Sequence, residues 1–467
     1  MKLSLDDLIS SYEIFLKNKL QETDNSTKPN QLLSFCFTAP NDFFTEDFLF
    51  LINDFSDGFY SCADEKELLA FGNIFSLQAE GANRWELIEE LYKEFPEPLF
   101  NSNEPFFIDS PLFCAAVKFS DEKKSAEWSN FNNIEFYIPK FIIKVEQNSF
   151  LFRFNDLLTP TFSINEAKNE FIATVHKIFT GGKAKNVEAV IEYKNSVDLI
   201  AEKDAWNLKI GMALSAIRNN SLTKIVLARK MSFTSNAPIP LEALPGRLKR
   251  TNPSANIFFI KKNDSVFLGA SPEILIEVKN NTLKTEAIAG SRRRGRTVEE
   301  DGEFEKELFN SNKERIEHNS VVDFLAANLT ELASEVRYNK TPTVKKLTSI
   351  QHLSTEITAK LKEGSSLFAV IKNIFPTPAV CGFPKEKAMQ LISELEDFDR
   401  GLYAGLVGWI SPSSARLIVA IRSALINKNT IFVYAGCGIV EGSNPESEFA
   451  ETETKFKTIL SAFNEKS

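Results

Sequence analysis

The sequence predicts an α+β fold of large antiparallel β-sheets wrapped by helices, and three observations carry that prediction. Apolar, β-branched runs are joined by turns too short for a crossover, at Asn263-Asp264, Asn280-Asn281, Pro412-Ser413-Ser414 and Asn427-Lys428-Asn429, and such turns demand antiparallel pairing. Helical patterns are interleaved with these runs. With 467 residues, 43% of them hydrophobic, the chain can bury a large core and wall a site off from water. The 41 Phe are a heavy aromatic load that speaks of packing and not of chemistry.

Taken in order, the first ~165 residues read as short Phe-rich strands and helices divided by polar turns such as Asn101-Ser102-Asn103-Glu104-Pro105. They hold no constellation that reads as a site, and residues 1–165 are expected to complete a fold whose chemistry lies in residues 166–467. A softer stretch at Gly181-Gly182-Lys183 marks a change of region. It precedes a helix with apolar Ala205, Leu208, Ile210, Leu214 and Ile217, ending near Asn219-Asn220. Strands are expected over Lys224 to Phe233, Asn256 to Lys261, Val266 to Ala270, a pair around Asn280-Asn281, Leu402 to Ile410, Arg416 to Ile426 and Thr430 to Val440. Helices are expected from Asn312 to about Val336, Pro384 to about Phe398 and Pro445 to about Phe463.

Charge and cysteine usage exclude several function classes. A net charge of -9 argues against a nucleic-acid partner, which would want a basic face, and weakens docking on anionic membranes. An anionic ligand must therefore be held by local positive groups. The five cysteines are odd in number and show no CxxC spacing, which suggests neither zinc nor a disulfide framework and fits reduced thiols in the cytoplasm. Acids enter at Asp6-Asp7, where a signal peptide would run apolar, and no apolar run reaches transmembrane length, so the protein is expected to be neither exported nor membrane-spanning.

Two helices carry paired carboxylates. Glu314 and Glu317 stand at i and i+3, as do Glu448 and Glu451, with Lys455 one turn further along. Either pair alone reads as a solvated acidic face. If the two faces converge, four carboxylates would repel one another unless a hard cation sits among them, and oxygen-only ligands select magnesium or calcium over zinc. Gly436, Gly438 and Gly442 lie just before the second helix, where missing side chains let backbone N–H groups approach an anion or simply serve tight turns.

Charges also appear in apolar strands. Arg422 lies within Arg416 to Ile426 and needs a partner, either a structural carboxylate or a bound one held by two parallel hydrogen bonds. Lys224 opens its strand and either reaches solvent or, desolvated beside other cations, serves as a base. Glu273 is either a plain turn acid or, in a low-dielectric cleft, a proton donor near neutral pH.

The stretch from about Asp204 to Leu460 resembles the chorismate-utilising enzymes, the family of anthranilate, aminodeoxychorismate, salicylate and isochorismate synthases. The resemblance covers a little over half the chain and rests on an ordered series: Lys224 to Arg229, Gly269 to Glu273, Ala289 to Arg292, Glu317-His318, Gly382 to Lys385, and Gly436 through Lys455. It implies one α+β unit of antiparallel sheets wrapped by helices. It further implies a Mg2+ ion bridged to the ring carboxylate of chorismate by Glu317 and Glu451, with Glu314 and Glu448 further out. Arg422 and Tyr403 would meet the enolpyruvyl carboxylate, and Gly436, Gly438 and Lys455 resemble positions that also hold substrate carboxylates.

Three positions are similar to the water-using members of the family. Lys224 stands where anthranilate synthases usually have Gln, Ala289 stands where aminodeoxychorismate synthases place a lysine nucleophile, and Thr377 to Pro384 resembles the isochorismate-synthase version of that segment. The resemblance thus implies isomerisation of chorismate to isochorismate, with Lys224 as base, Glu273 as acid, Ala379 and Val380 lining the ring, and no obligatory amidotransferase subunit. The rivals are a salicylate synthase, an ammonia-using synthase and a non-catalytic chorismate-binding relative. One departure is the run Ala287 to Gly295, Ala-Ile-Ala-Gly-Ser-Arg-Arg-Arg-Gly in place of Pro-Ile-Ala-Gly-Thr-Arg-Pro-Arg-Gly. It spares the small Ala289 and keeps a hydroxyl at Ser291, a further candidate contact to substrate.

Overall fold

The computed structural model describes residues 5–23, 31–40, 48–63, 66–95, 99–100, 110–121, 125–146, 149–180, 199–348 and 350–463. The expected turn at Asn101–Pro105 and the soft stretch at Gly181–Lys183 lie outside these residues. Among the described residues the strands form two sheets, one of twelve strands and one of ten, the latter with nine on its main path and Thr343–Lys346 added at Ile350–Leu361. Pairing is antiparallel throughout except between Gln31–Pro40 and Leu99–Phe100. The fold is thus the α+β arrangement of large antiparallel sheets with helices that the turns demanded.

The turn asparagines show why the meanders form. Asn263, Asn280 and Asn281 adopt positive φ (52°, 48° and 63°), the left-handed backbone that tight hairpins need and that Asn tolerates better than most residues. Asn256–Lys262 then pairs with Ser265–Ser271, and Ile274–Lys279 with Thr282–Arg293. Strands from residues 1–165 enter both sheets: Asp57–Ala63 pairs with Asn256–Lys262, and Phe113–Val117 with Leu406–Ile410.

One apolar core contains residues of both sheets, including Phe113, Ile134, Leu227 and Phe258. A second combines strands of the larger sheet with the helices Leu5–Thr23, Ile164–Thr180 and Pro445–Leu460. Much of the Phe excess is spent there, in contacts such as Tyr12 on Phe171 at 4.1 Å and Phe37 on Phe152 at 4.8 Å.

Three expectations need correction. The run Arg416 to Ile426 is two strands in different sheets: Ser414–Val419 pairs with Ile274–Lys279, and Ser423–Asn427 with Ser265–Ser271. The chain crosses between them at Ala420–Arg422, with Arg422 at φ 53°, so Arg422 stands at a seam and not within a strand. The helix from Asn312 stops at Leu332, and Ala333–Tyr338 becomes a strand paired with Ile350–Leu361. In the helix Leu199–Arg218 the buried stripe runs through Trp206, Ile210, Ala213 and Ile217, whereas Leu208 is 72% exposed.

Candidate functional site

The larger sheet supplies the floor of the site. In the register between Lys224–Thr234 and Thr430–Val440, Val226 faces Gly438 and Ala228 faces Gly436. Residues two apart share a face of the sheet, so the two glycines clear one patch of it. A Cβ at Gly438 would stand 2.3 Å from Glu317 Oε1 and 3.0 Å from Lys224 Cε, and one at Gly436 would stand 2.9 Å from the Tyr403 hydroxyl. These glycines make room for the Glu317, Lys224 and Tyr403 side chains, whatever else their N–H groups do.

The two helices deliver the carboxylates. Ser311 caps the helix Asn312–Leu332 by accepting from Glu314 N, and Asn444 caps Pro445–Leu460 by accepting from Glu446 N and Ser447 N. Each carboxylate has its own cation. Lys224 Nζ is 2.9 Å from Glu317 Oε1, Lys455 Nζ is 2.6 Å from Glu451 Oε1, Lys313 donates to Glu448 at 2.8 Å, and Arg292 donates to Glu314 at 3.0 Å. Glu314 also accepts from Ser291 N at 3.0 Å.

The carboxylates nonetheless feel one another. Burial first, and then the charge of Glu317, pushes Glu314 above the usual range; burial and Glu451 do the same to Glu448. For Glu451 burial also acts upward, but Lys455, Lys313 and Arg422 outweigh it and hold the group below the usual value.

The donor set is all oxygen, which suits a hard cation of the magnesium type. Among the described residues no three acidic, His or Cys groups stand close enough to form a cage. An ion here would be held by two carboxylates at most, leaving its other positions to water or substrate, as magnesium prefers. Glu317 and Glu451 fit that role best, because each is paired with one lysine ammonium group, whereas Glu314 is committed to a backbone N–H and a guanidinium, and Glu448 to Lys313 and the Ser443 side chain.

Glu273 follows the strand Ser265–Ser271, anchored by Glu273 N donating to Ser271 Oγ at 3.2 Å. Burial pushes its carboxyl up to about 7, against an opposing pull from Lys224, and Thr377 Oγ1 lies 3.5 Å from its Oε1. Arg422, fully enclosed, is lowered by burial to about 10 and stays a cation at neutral pH. The sequence left open a carboxylate partner for it; the structure supplies His352, whose Nε2 is 3.2 Å from Arg422 Nη2.

His352 Nδ1 lies 3.0 Å from Ser291 Oγ and 3.2 Å from the Gly290 carbonyl. The tautomer with Nδ1–H satisfies these contacts and leaves Nε2 free to accept from Arg422. Burial, and then Arg422, keeps this histidine neutral. His318, beside Glu317, is likewise lowered, to about 4, by burial and the nearby Lys224, and its Nε2 is 2.8 Å from Thr355 Oγ1.

Ala379, Val380, Tyr403, Arg422, Gly436 and Lys455 line one small cavity, together with Val226, Ala404, Ile421 and Ala435. Lys455 reaches it while donating to the Gly436 carbonyl at 2.8 Å. Lys224, Gly438 and Glu317 meet at the neighbouring patch of sheet.

Comparison with known proteins bears directly on this arrangement. The family profile described as "Chorismate binding enzyme" matches residues 19–464. The chain belongs to that family of chorismate-utilising enzymes. Among its relatives, isochorismate synthase MenF of Bacillus subtilis (strain 168) is 31% identical over 414 residues, 86% of this chain and 87% of the relative. Anthranilate synthase component 1 of Saccharolobus solfataricus is 36% identical over 276 residues, 58% of this chain and 65% of the relative. The solved structure of MenF, the menaquinone-specific isochorismate synthase of Escherichia coli, superposes with a TM-score of 0.77 at 23% identity, covering 97% of this chain and all of that one, and shows the same fold. Among the described residues no helix is long and apolar enough to cross a membrane.

Residue-by-residue reading missed His352, Lys313 and Thr377. His352 carried the clearest signal, since only three histidines occur in the chain and this one stands in the β-branched and apolar run that becomes Ile350–Leu361. Lys313 and Thr377 gave none, because a lysine beside acids on a helix and a threonine before a proline are ordinary.

Proposed function

We propose that this enzyme isomerises chorismate to isochorismate, adding water at C2 and expelling the C4 hydroxyl. The observation that carries the reading is a buried lysine, Lys224, whose charge reaches a buried carboxyl group, Glu273, held near 7; the segments that carry them, at Val226 and Ala379, also line the cavity that holds Arg422 and Tyr403. Glu273, protonated in a substantial fraction near neutral pH and more fully below it, can give its proton to the departing hydroxyl, which leaves as water. Lys224 in its neutral form takes the proton from the attacking water, and the ring double bonds shift between the two events. One C–O bond forms while another of the same kind breaks, so the equilibrium is near balance.

Arg422, oriented by His352, is assigned to the enolpyruvyl carboxylate, with the Tyr403 hydroxyl, Gly436 and Lys455 beside it. Ser291, Ala379 and Val380 are assigned to the walls around the ring. A Mg2+ ion between Glu317 and Glu451 would neutralise the ring carboxylate when bound, with Glu314 and Glu448 supporting from outside. The fixed geometry lets both proton transfers occur within reach.

The similarity to anthranilate synthases keeps an ammonia-using reaction as the second reading. Lys224 and Ala289 favour water over it. The test is incubation of purified protein with chorismate and Mg2+, with and without ammonium, followed by NMR. Isochorismate forming without ammonium and with little pyruvate is expected. Pyruvate released as fast as chorismate disappears would make the protein a salicylate synthase, and a product that requires ammonium would favour the second reading. No consumption of chorismate under either condition would leave only a binding protein.

A further inference from the structure

The strongest unassigned charged pair lies behind the cavity wall. Arg400 and Glu396 are both buried, with side chains 3% and 1% exposed. Arg400 Nε donates to Glu396 Oε2 at 2.8 Å and Nη2 to Oε1 at 2.6 Å, a bidentate fork. The remaining donors go to backbone: Nη1 to the Val380 carbonyl at 2.9 Å and Nη2 to the Val226 carbonyl at 2.8 Å. Glu396 Oε1 in turn accepts from Ala228 N at 2.8 Å.

These targets belong to three segments that face the cavity. Val380 lies in the Thr377–Cys381 stretch, which also contains Ala379 and the threonine that meets Glu273. Val226 lies two residues beyond Lys224 on the same strand and is itself a cavity residue. Tyr403, a third lining residue, donates its N–H to the Arg400 carbonyl at 2.9 Å. The outer side of the turn is fixed independently: Asp399 accepts from Gly401 N at 2.8 Å, its carbonyl accepts from Trp128 Nε1 at 3.1 Å, and the guanidinium lies 4.4 Å from the Phe119 ring.

We infer that Arg400 and Glu396 are positioning residues that set the spacing between the Thr377–Cys381 wall and the Lys224 strand, and so fix the shape of the substrate cavity. Neither side chain needs to touch substrate. The planar fork matters because one group must satisfy a carboxylate and two carbonyls in fixed directions at once, which a lysine ammonium on a flexible stem cannot reproduce. This inference rests on the cavity being the chorismate site.

A purely structural pair and a positioning pair make different kinetic predictions. Loss of stability alone lowers the folded fraction, which reduces apparent kcat at unchanged KM; a shifted wall changes KM in the molecules that are folded. Wild-type turnover of chorismate is measured first, so that failure of the substrate assignment is seen separately.

Arg400→Lys, which keeps the charge opposite Glu396, is expected to raise KM for chorismate about tenfold through loss of a carbonyl contact made by a charged donor. The double variant Arg400→Met with Glu396→Gln leaves no unpaired buried charge, and it should fold and show the same rise. Glu396→Gln alone retains the Arg400 contacts to Val380 and Val226 and should keep KM within about threefold of wild type, the range left when no such contact is lost. Lys262→Met disrupts another buried cluster, with Asp57 and Glu135, and serves as the control that loses stability without a change in KM. A wild-type KM in folded Arg400→Lys or in the double variant would overturn the inference.

Discussion

Gly438→Ala tests the site more sharply than removal of any charged group. The new methyl would sit 2.3 Å from Glu317 Oε1 and 3.0 Å from Lys224 Cε. A relaxed contact needs about 3.4 Å or more, so the Glu317 carboxylate must retreat by about 1 Å. Its end is flexible and the Gly438 backbone is not among the positive-φ glycines, so the fold has no reason to suffer. Gly→Ala at a compatible backbone position contributes about 0.4–1 kcal/mol through the unfolded chain. Displacement of reacting groups by 1 Å costs on the order of 100-fold in rate. The expected variant therefore melts at or above the wild-type temperature while kcat/KM for chorismate falls about 100-fold, or roughly 2.7 kcal/mol. Steady-state kinetics with Mg2+ and a thermal melt suffice. Turnover within threefold of wild type in a protein of unchanged melting temperature would show that Glu317 and Lys224 do not act from the positions assigned to them.

Wild type is expected to lose rate as pH rises through about 7, and Glu273→Gln should lose most of the forward rate and, with it, that decline. The same group gives a stability signature. Its folded-state affinity for a proton exceeds the unfolded one, so wild-type stability falls as pH climbs from about 4.3 through about 7, and urea titrations of Glu273→Gln should lack that slope. Lys224→Ala should retain chorismate binding, measured calorimetrically, yet turn over poorly, with partial recovery at high pH where hydroxide replaces the base; near-normal turnover at neutral pH would mean the wrong base was named. Glu317→Gln or Glu451→Gln should abolish both activity and Mg2+ binding by calorimetry while leaving the circular dichroism spectrum intact, and full wild-type turnover in excess chelator would remove the argument for an ion.

Much of this was legible from local chemistry. Asn263, Asn280 and Asn281 announced hairpins because few residues accept a left-handed backbone, and the i, i+3 spacing of Glu314 with Glu317 and of Glu448 with Glu451 placed each pair on one helical face. Gly436 and Gly438 were legible as close approaches, although what approaches them is a tyrosine, a carboxylate and a lysine from distant segments. The change of sheet at Arg422 was not legible, because Leu417 to Ile426 is apolar on both faces and periodicity holds no mark of where a fully buried chain leaves one sheet for another. Nor were the targets of Arg400, two backbone carbonyls that every sequence possesses. The end of the helix at Leu332 was missed for a related reason: no Gly or Pro punctuates Glu331 to Val336, and pairing with Ile350–Leu361 overrides the local preference.

The two inter-segment pairings of the sheets govern how this chain can be cut. Every assigned site residue lies after position 223, which invites expression of the second part alone. Such a fragment would lack Asp57–Ala63 and Phe113–Val117, and the strands Asn256–Lys262 and Leu406–Ile410 would each present a bare row of N–H and C=O groups. Both are apolar and long enough to recruit strands from other molecules. The fragment is thus expected to pellet on overexpression, and co-expression of residues 1–165 as a separate chain should return it to the supernatant.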